Sequence, residues 1–301
     1  MPDNRDVGDN AEVPLVGGAQ TQGIVRVGET VRRPRHARSE YVQALLRHLE
    51  LVGYAGAPRP LGYDDLGREV LTFIEGDVPA GPPFGLSDAQ LLSATDLIRD
   101  FHDAAASWAA RGGGETVCHG DLGPHNTVFD GDVAVGLIDW DEDAAPGSRI
   151  VDFAHAVWCF ADVTEATVPV SEQARKVALM CSAYPGMTPG GVVAEITARF
   201  HRAREQHAAA GRPRAVGVFD RLIAWMTAHG PALARTCATR ASHPPGRPAG
   251  RLEAKGGLSR GPRLEKPPGS CISWSSPTSS ASVTARRRTD PGREPPARSS
   301  E

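Results

Sequence analysis

Lysine is almost missing from this chain. The first is Lys176, so no earlier segment can put a lysine ammonium on a ligand. Cysteine is sparse as well: Cys118, Cys159, Cys181, Cys237 and Cys271 lie far apart, odd in number and without a Cys-x-x-Cys pair. That pattern excludes a disulfide framework and a zinc ribbon, and it fits a reducing cytosol. No apolar run is long enough to span a bilayer. Met1 to Pro14 is polar and acidic, unlike a signal peptide. These absences describe a soluble, cytoplasmic protein with no membrane partner.

Charge is uneven over the 301 residues, a length that allows one large or two small domains. The net charge is −3, but residues 240–301 hold twelve Lys or Arg against five Asp or Glu. The remainder is therefore acidic and ill suited to nucleic acid. Residues 240–301 also contain 10 Pro, 7 Gly and 11 Ser with few large apolar side chains, too little to offset chain entropy. We expect residues 237–301 to form a disordered tail, Arg286-Arg287-Arg288 to be a solvated charge run, and residues 1–12 to be disordered too. The tail's composition also fits a shifted reading frame.

Local signals divide the rest. Ile24 to Val27 and Thr30 to Arg33 flank Gly28-Glu29, a hairpin with a type II′ turn. Gly17-Gly18 and Gly23 precede it without G-x-G-x-x-G or a Walker lysine, so a plain turn is expected there. Ser39 is placed to cap a helix with Val42, Leu45, Leu46 and Leu49 on one face, ending at Gly53. Residues 57–62 read as a connector, and Glu69 to Ile74 as a strand stopped by Glu75-Gly76. The Pro/Gly-rich residues 78–85 read as a hinge. Ser87 and Gln90 then form a capping box for a helix carrying Leu91, Ala94, Ile98, Phe101 and His102 on one stripe, where His102 is expected to be packed. Further helices are expected from Asp152, over 171–184, 189–210 and 213–229, the last with Phe219, Leu222, Ile223 and Met226 as core.

Between the two groups of elements lies Val117 to Asp141, V-C-H-G-D-L-G-P-H-N-T-V-F-D-G-D-V-A-V-G-L-I-D-W-D. Thr127 to Phe129 and Val133 to Ile138 read as strands around Asp130-Gly131-Asp132, and a Pro146-Gly147 turn follows. Asp121 and Asn126 then leave the loop before the hairpin, and Asp139 its far end. A carboxylate, an amide five residues on and a second carboxylate suit phosphoryl transfer, which needs a group on the acceptor hydroxyl and oxygen ligands for Mg²⁺. The plain structural alternative is a polar hairpin whose Asp and Asn only cap turns.

His119-Gly120-Asp121-x4-Asn126, then Ile138-Asp139-Trp140, then Asp152-Phe153-Ala154, resembles the aminoglycoside phosphotransferase/choline kinase family. Arg32-Arg33-Pro34, residues 44–50 and residues 68–72 resemble its bacterial phosphotransferase members, more loosely. The likeness covers residues 13–236. It implies an α+β, protein-kinase-like bilobal fold, with a small β-rich nucleotide-binding lobe over 13–77 and a larger helical lobe over 78–236. Asp121 would be catalytic, Asn126 and Asp139 magnesium ligands, and His119 and Asp152 supports of the loop. ATP or GTP would lie between the lobes, against Arg32, Arg33 and Glu75.

Such kinases hold the phosphates with a strand lysine paired to a helix glutamate. Here Arg32 or Arg33 stands on that strand, and the helix offers Glu40 in its first turn and Val42 at the partner position. Arginine keeps the charge but not the shape of an ammonium. A small-molecule O-phosphotransferase and a pseudokinase-like binding module are therefore both carried forward. Eight acids against Arg149 between Asp139 and Glu172, with Asp141, Glu142 and Glu165 as candidate contacts, favour a cationic acceptor such as an aminoglycoside or amino alcohol. A solvated acidic face accounts for them equally.

Overall fold

Gly28 takes φ +56°, which turns β2 (Val25–Val27) back into β3 (Thr30–Arg33) with Val27 opposite Thr30, as the hairpin signal required. β1 (Val13–Pro14) pairs with the other edge of β2. The computed structural model describes residues 11–15, 23–141 and 143–235. The segments expected to be disordered lie outside them apart from Ala11 and Glu12, and so do Gly17, Gly18 and Glu142. Glu12 forms an ion pair with Arg68 at 2.7 Å.

Helix α1 (Ser39–Leu51) buries Val42, Leu45, Leu46 and Leu49 and gives way to Gly53 at φ +83°. Its cap differs from expectation. Ser39 lies inside the helix, Arg38 is the N-cap, and the Ser39 hydroxyl takes the His36 amide at 2.9 Å. Residues 57–62 are not merely a connector, because β4 (Pro60–Tyr63) begins within them and pairs with β5 (Glu69–Thr72). The five strands run in the order β1-β2-β3-β5-β4, so β4 is an edge. A proline can open an edge strand because its missing N–H faces outward. β5 ends two residues before the expected Ile74.

The link to the second lobe is pinned rather than loose. Asp77 and Phe129 exchange amide–carbonyl bonds of 2.8 Å in both directions. Gly76 at φ +143° makes this approach possible, since a Cβ there would sit 2.5 Å from the Phe129 carbonyl oxygen.

Beyond the link, Ser87 and Gln90 close their capping box (3.1 and 3.0 Å) over α2 (Asp88–Ala109). Leu91, Ala94, Ile98, Phe101 and His102 are all fully buried along it. At about 1.5–3 kcal/mol for each large apolar side chain buried, this stripe anchors the helical lobe. β6 (Thr116–Cys118), β7 (Thr127–Asp130), β8 (Val133–Leu137) and β9 (Ala145–Gly147) follow. The β7–β8 turn is only Gly131-Asp132, because Asp130 pairs with Val133. Pro146-Gly147 is strand rather than turn, paired antiparallel with Val117 and Thr116 of β6. Helices α3 (Arg149–Phe160), α4 (Val170–Ala183), α5 (Pro189–Ala209) and α6 (Pro213–Leu233) complete the chain. Among the described residues no helix is long and apolar enough to cross a membrane. The fold is α+β and protein-kinase-like, with a small β-rich lobe and a larger helical one, and one hydrophobic core runs from α1 through α2 to α6.

Candidate active site

The loop leaving β6 is fixed by one buried carboxylate. Asp152, in the first turn of α3, accepts the His119 amide on Oδ2 at 2.9 Å and the Gly120 amide on Oδ1 at 3.0 Å. Its Oδ2 also accepts His102 Nε2 at 3.1 Å, and His102 Nδ1 lies 2.8 Å from the Tyr184 hydroxyl. Burial opposes its ionisation, but His102, His119 and the Gly120 amide hold the carboxyl below its ordinary pKa. Gly120 takes φ +91° with Asp143 so close that a Cβ would lie 2.7 Å from it. His119 donates Nε2–H to the Ile138 carbonyl at 3.0 Å, tying the loop to the end of β8. Its ring lies 4.5 Å from that of Trp140, which is fully buried.

That scaffold presents Asp121, a side chain gripped at both oxygens. Oδ2 accepts Asn126 Nδ2 at 3.1 Å and His125 Nε2 at 3.4 Å, and Oδ1 accepts His155 Nε2 at 3.2 Å. Asn126 Nδ2 also reaches the Asp121 carbonyl at 2.9 Å. Burial pushes the Asp121 carboxyl up, yet these donors outweigh it and keep it well below the usual carboxylate range. Asp121 is therefore ionised at neutral pH, able to accept a hydroxyl proton's hydrogen bond.

Asp139 follows β8 at φ +63°, a left-handed conformation that Asp tolerates better than bulkier residues. The residue is exposed, though nearby protein groups partly desolvate its carboxyl. That desolvation, with the charge of Asp141, raises its carboxyl above the ordinary value against the pull of Arg33 and His119. No hydrogen-bond donor among the described residues reaches its carboxylate. With the Asn126 amide nitrogen committed to Asp121, its oxygen and the Asp139 carboxylate are two hard oxygen donors, the kind Mg²⁺ prefers. Among the described residues no cluster of three or more His, Cys, Asp or Glu could hold a metal. A cation here would need ligand oxygens as well, as in metal–nucleotide sites.

The two arginines of β3 separate cleanly. Arg33 is buried and donates Nε–H to Glu69 Oε2 at 2.7 Å, while its Nη2 is buried with no hydrogen-bond partner. Arg32 instead lies 3.8 Å from Asp64 and bonds Thr30. Glu69 comes from β5, directly opposite Arg33 in register, and also accepts Gln43 Nε2 at 3.2 Å. The arginine's partner is thus on the neighbouring strand, not on the helix at Glu40 or Val42.

Other candidate contacts fare differently. The Glu75 carboxylate pairs with Arg26 at 2.5 Å and is largely exposed. Asp141 accepts the Asp143 amide at 2.9 Å, closing a turn, and Glu165 accepts the Thr167 hydroxyl at 3.3 Å. Three acids of the expected acidic face are committed elsewhere: Asp152 to the loop amides, Asp162 to Lys176 at 2.8 Å, and Glu172 to Arg175 at 2.7 Å. Reading the sequence missed Glu69, His155 and Arg199, whose Nη2 donates to the Gly120 carbonyl at 3.3 Å. His155 alone carried a signal, the spacing of three from Asp152 on one helix face.

The sequence profile of the Phosphotransferase enzyme family matches residues 28–189, more than half the chain. The chain belongs to this family. A trifolitoxin immunity protein from Rhizobium leguminosarum bv. trifolii is 35% identical over 224 residues, 65% of this chain and 84% of that protein. Among solved structures, the gentamicin-APH(2")-IIa complex is similar over 72% of this chain and 92% of that one, with a TM-score of 0.51 and 12% identity. A choline/ethanolamine kinase family protein from Mesorhizobium loti is similar over 76% and 94%, with a TM-score of 0.46 and 16% identity. In this phosphotransferase-family chain, then, the loop from His119 to Asp139, the buried Arg33 and Asp152 all fall within the matched span, while β1, β2 and α6 lie outside it.

Proposed function

We propose that this protein is a kinase-type phosphotransferase that moves the γ-phosphoryl group of ATP or GTP to a hydroxyl of a small molecule. The observation that carries it is the grip on Asp121, ionised and held on both oxygens beside Asn126, with no donor among the described residues reaching Asp139. In the step, the acceptor oxygen forms a bond to the γ-phosphorus while the bond to the β-phosphate oxygen breaks. Asp121 orients the hydroxyl and takes up its proton. Asn126 and Asp139 would hold Mg²⁺, which when bound would supply positive charge to the phosphates. Arg33, braced by Glu69, offers its remaining N–H groups to a phosphate, and His119 and Asp152 keep the loop in place. The nucleotide lies between lobes spanning 13–77 and 78–236, in a cytoplasmic protein.

The lack of a lysine before Lys176 is the argument for a binding module without turnover. The buried Arg33–Glu69 pair supplies a fixed cation on the corresponding strand, and this favours the enzyme. For the acceptor, Asp141 and Glu165 remain as the acids that would select an amino sugar or amino alcohol. The resemblance to an immunity protein favours a more specific role, in which the hydroxyl belongs to a toxin and its phosphorylation protects the cell.

The test is a thermal-shift comparison of MgATP and MgGTP, followed by a phosphate-transfer assay over aminoglycosides and amino alcohols. Asp121→Asn should lower turnover about 10³-fold, within the range for general acid–base groups. Unchanged turnover in that variant would sink the assignment.

A further inference from the structure

Helix α3 meets the loop at two points one turn apart. Asp152 takes the His119 and Gly120 amides, and three residues on, His155 reaches Asp121 Oδ1. A carboxylate can only accept, so His155 Nε2 carries the hydrogen. The ring is 2% exposed and its Nδ1 is buried with no hydrogen-bond partner. Keeping an unsatisfied nitrogen inside the protein is costly, and a phenyl or isobutyl group would fill the space without that cost. What the imidazole adds over them is the Nε2–H bond to Asp121 at 3.2 Å, with only a weak sulfur contact to Cys159 besides.

The surroundings keep the ring neutral. Burial and the Arg199 guanidinium from α5 push its pKa down to about 4, against the pull of Asp121 and Asp152. Cys159 Sγ lies 3.9 Å from Nε2, and Trp158 stands edge-on at 5.5 Å. These neighbours pack around the ring while its Nε2 faces Asp121 Oδ1.

We propose that His155 is a positioning residue for phosphoryl transfer, fixing the rotation of the Asp121 carboxylate so that it meets the acceptor hydroxyl in one orientation. This rests on the phosphotransferase reading above. Small misplacements of a reacting group cost about 10²-fold, which sets the expected effect.

The full-length chain is assayed with MgATP, using gentamicin and ethanolamine as hydroxyl acceptors and water as a third, read as phosphate release. His155→Ala should lower kcat about 10²-fold with the MgATP KM essentially unchanged. His155→Gln, which retains an amide N–H near the same place, should recover most of the lost rate. His155→Leu, which fills the same space without an N–H, should stay as slow as Ala, whereas a packing role alone predicts that Leu recovers as well. Wild-type kcat in the Ala variant, or a Gln variant as slow as Ala, overturns the proposal while an inactive Asp121→Asn leaves the phosphotransferase reading standing. Long-range ¹H–¹⁵N NMR adds a readout independent of turnover. His155 should be the neutral Nε2–H tautomer at pH 7 and should shift in Asp121→Asn; an Nδ1–H tautomer or a cation overturns the contact. If wild type neither gains thermal stability from MgATP or MgGTP nor turns over any of the three acceptors while the Nε2–H signature is intact, the phosphotransferase reading falls, and the role assigned to His155 falls with it.

Discussion

Arg33 and Glu69 face each other across β3 and β5 as a buried ion pair of 2.7 Å, with side chains 7% and 0% exposed. Because both stand on strands of one sheet, no helix movement is needed to bring them together. The pair is built into the lobe.

Removing one member of such a pair strands the other, at about 3–5 kcal/mol. Glu69→Ala should therefore destabilise the protein by about that amount in urea denaturation and weaken MgATP binding. The double variant Arg33→Met/Glu69→Leu should recover stability, since apolar substitutes for a buried pair are often neutral, without recovering MgATP affinity in calorimetry. Affinity restored along with stability would mean that Arg33 serves the fold and not the phosphates.

Asp139→Asn separates backbone from charge. Asn accepts the left-handed φ of +63° nearly as well as Asp, so melting should change little. The loss should fall on metal dependence, with turnover requiring about tenfold or more Mg²⁺, as a carboxylate ligand gives way to a neutral one. Asp139→Ala should in addition cost about 1 kcal/mol in the backbone. An unaltered Mg²⁺ titration in the Asn variant would remove Asp139 from the metal site.

The residues readable from sequence were those whose spacing is local. His119, Asp121, Asn126 and Asp139 lie on one loop and one hairpin, where Asn126 bonds Asp121 and His119 bonds the Ile138 carbonyl next to Asp139. Glu69 was invisible because its link to Arg33 depends on the register of strands 36 residues apart. The choice between Arg32 and Arg33 was open for a similar reason: neighbours on a strand face opposite sides, and only the packing of the other elements decides which side is inside. β4 was hidden by Pro60, which reads as a breaker unless the strand is known to be an edge. The acidic run could not be sorted from sequence because charge composition cannot say which carboxylates are internally paired, as Asp152 and Asp162 are.

Asp152 gives the protein an acid limit. Its pKa is depressed in the fold, so the stability it contributes is present above the unfolded value near 3.9 and is lost as pH falls through the lower folded value. Asp152→Asn should thus be much less stable than wild type at pH 7. The difference should narrow as denaturation is repeated at pH 4 and then below it. A gap that stays constant with pH would show that the amide's geometry, and not the lost charge, causes the defect.

Lys176 is the one lysine among the described residues, and it serves the helical lobe instead of the nucleotide. From α4 it donates to Asp162 Oδ2 at 2.8 Å, with both side chains buried, while Oδ1 of Asp162 accepts the Phe84 amide of the inter-lobe link at 2.8 Å. Lys176→Met leaves the Asp162 charge uncompensated and should cost about 3–5 kcal/mol. Where the variant is still folded, MgATP affinity should match wild type, because this pair touches the nucleotide strand nowhere. Lys176→Met/Asp162→Asn should recover part of the stability, as an amide oxygen can still accept the Phe84 N–H without a buried charge. Loss of MgATP affinity at full foldedness in either variant would place the lysine in the nucleotide site and displace Arg33 from the role given to it.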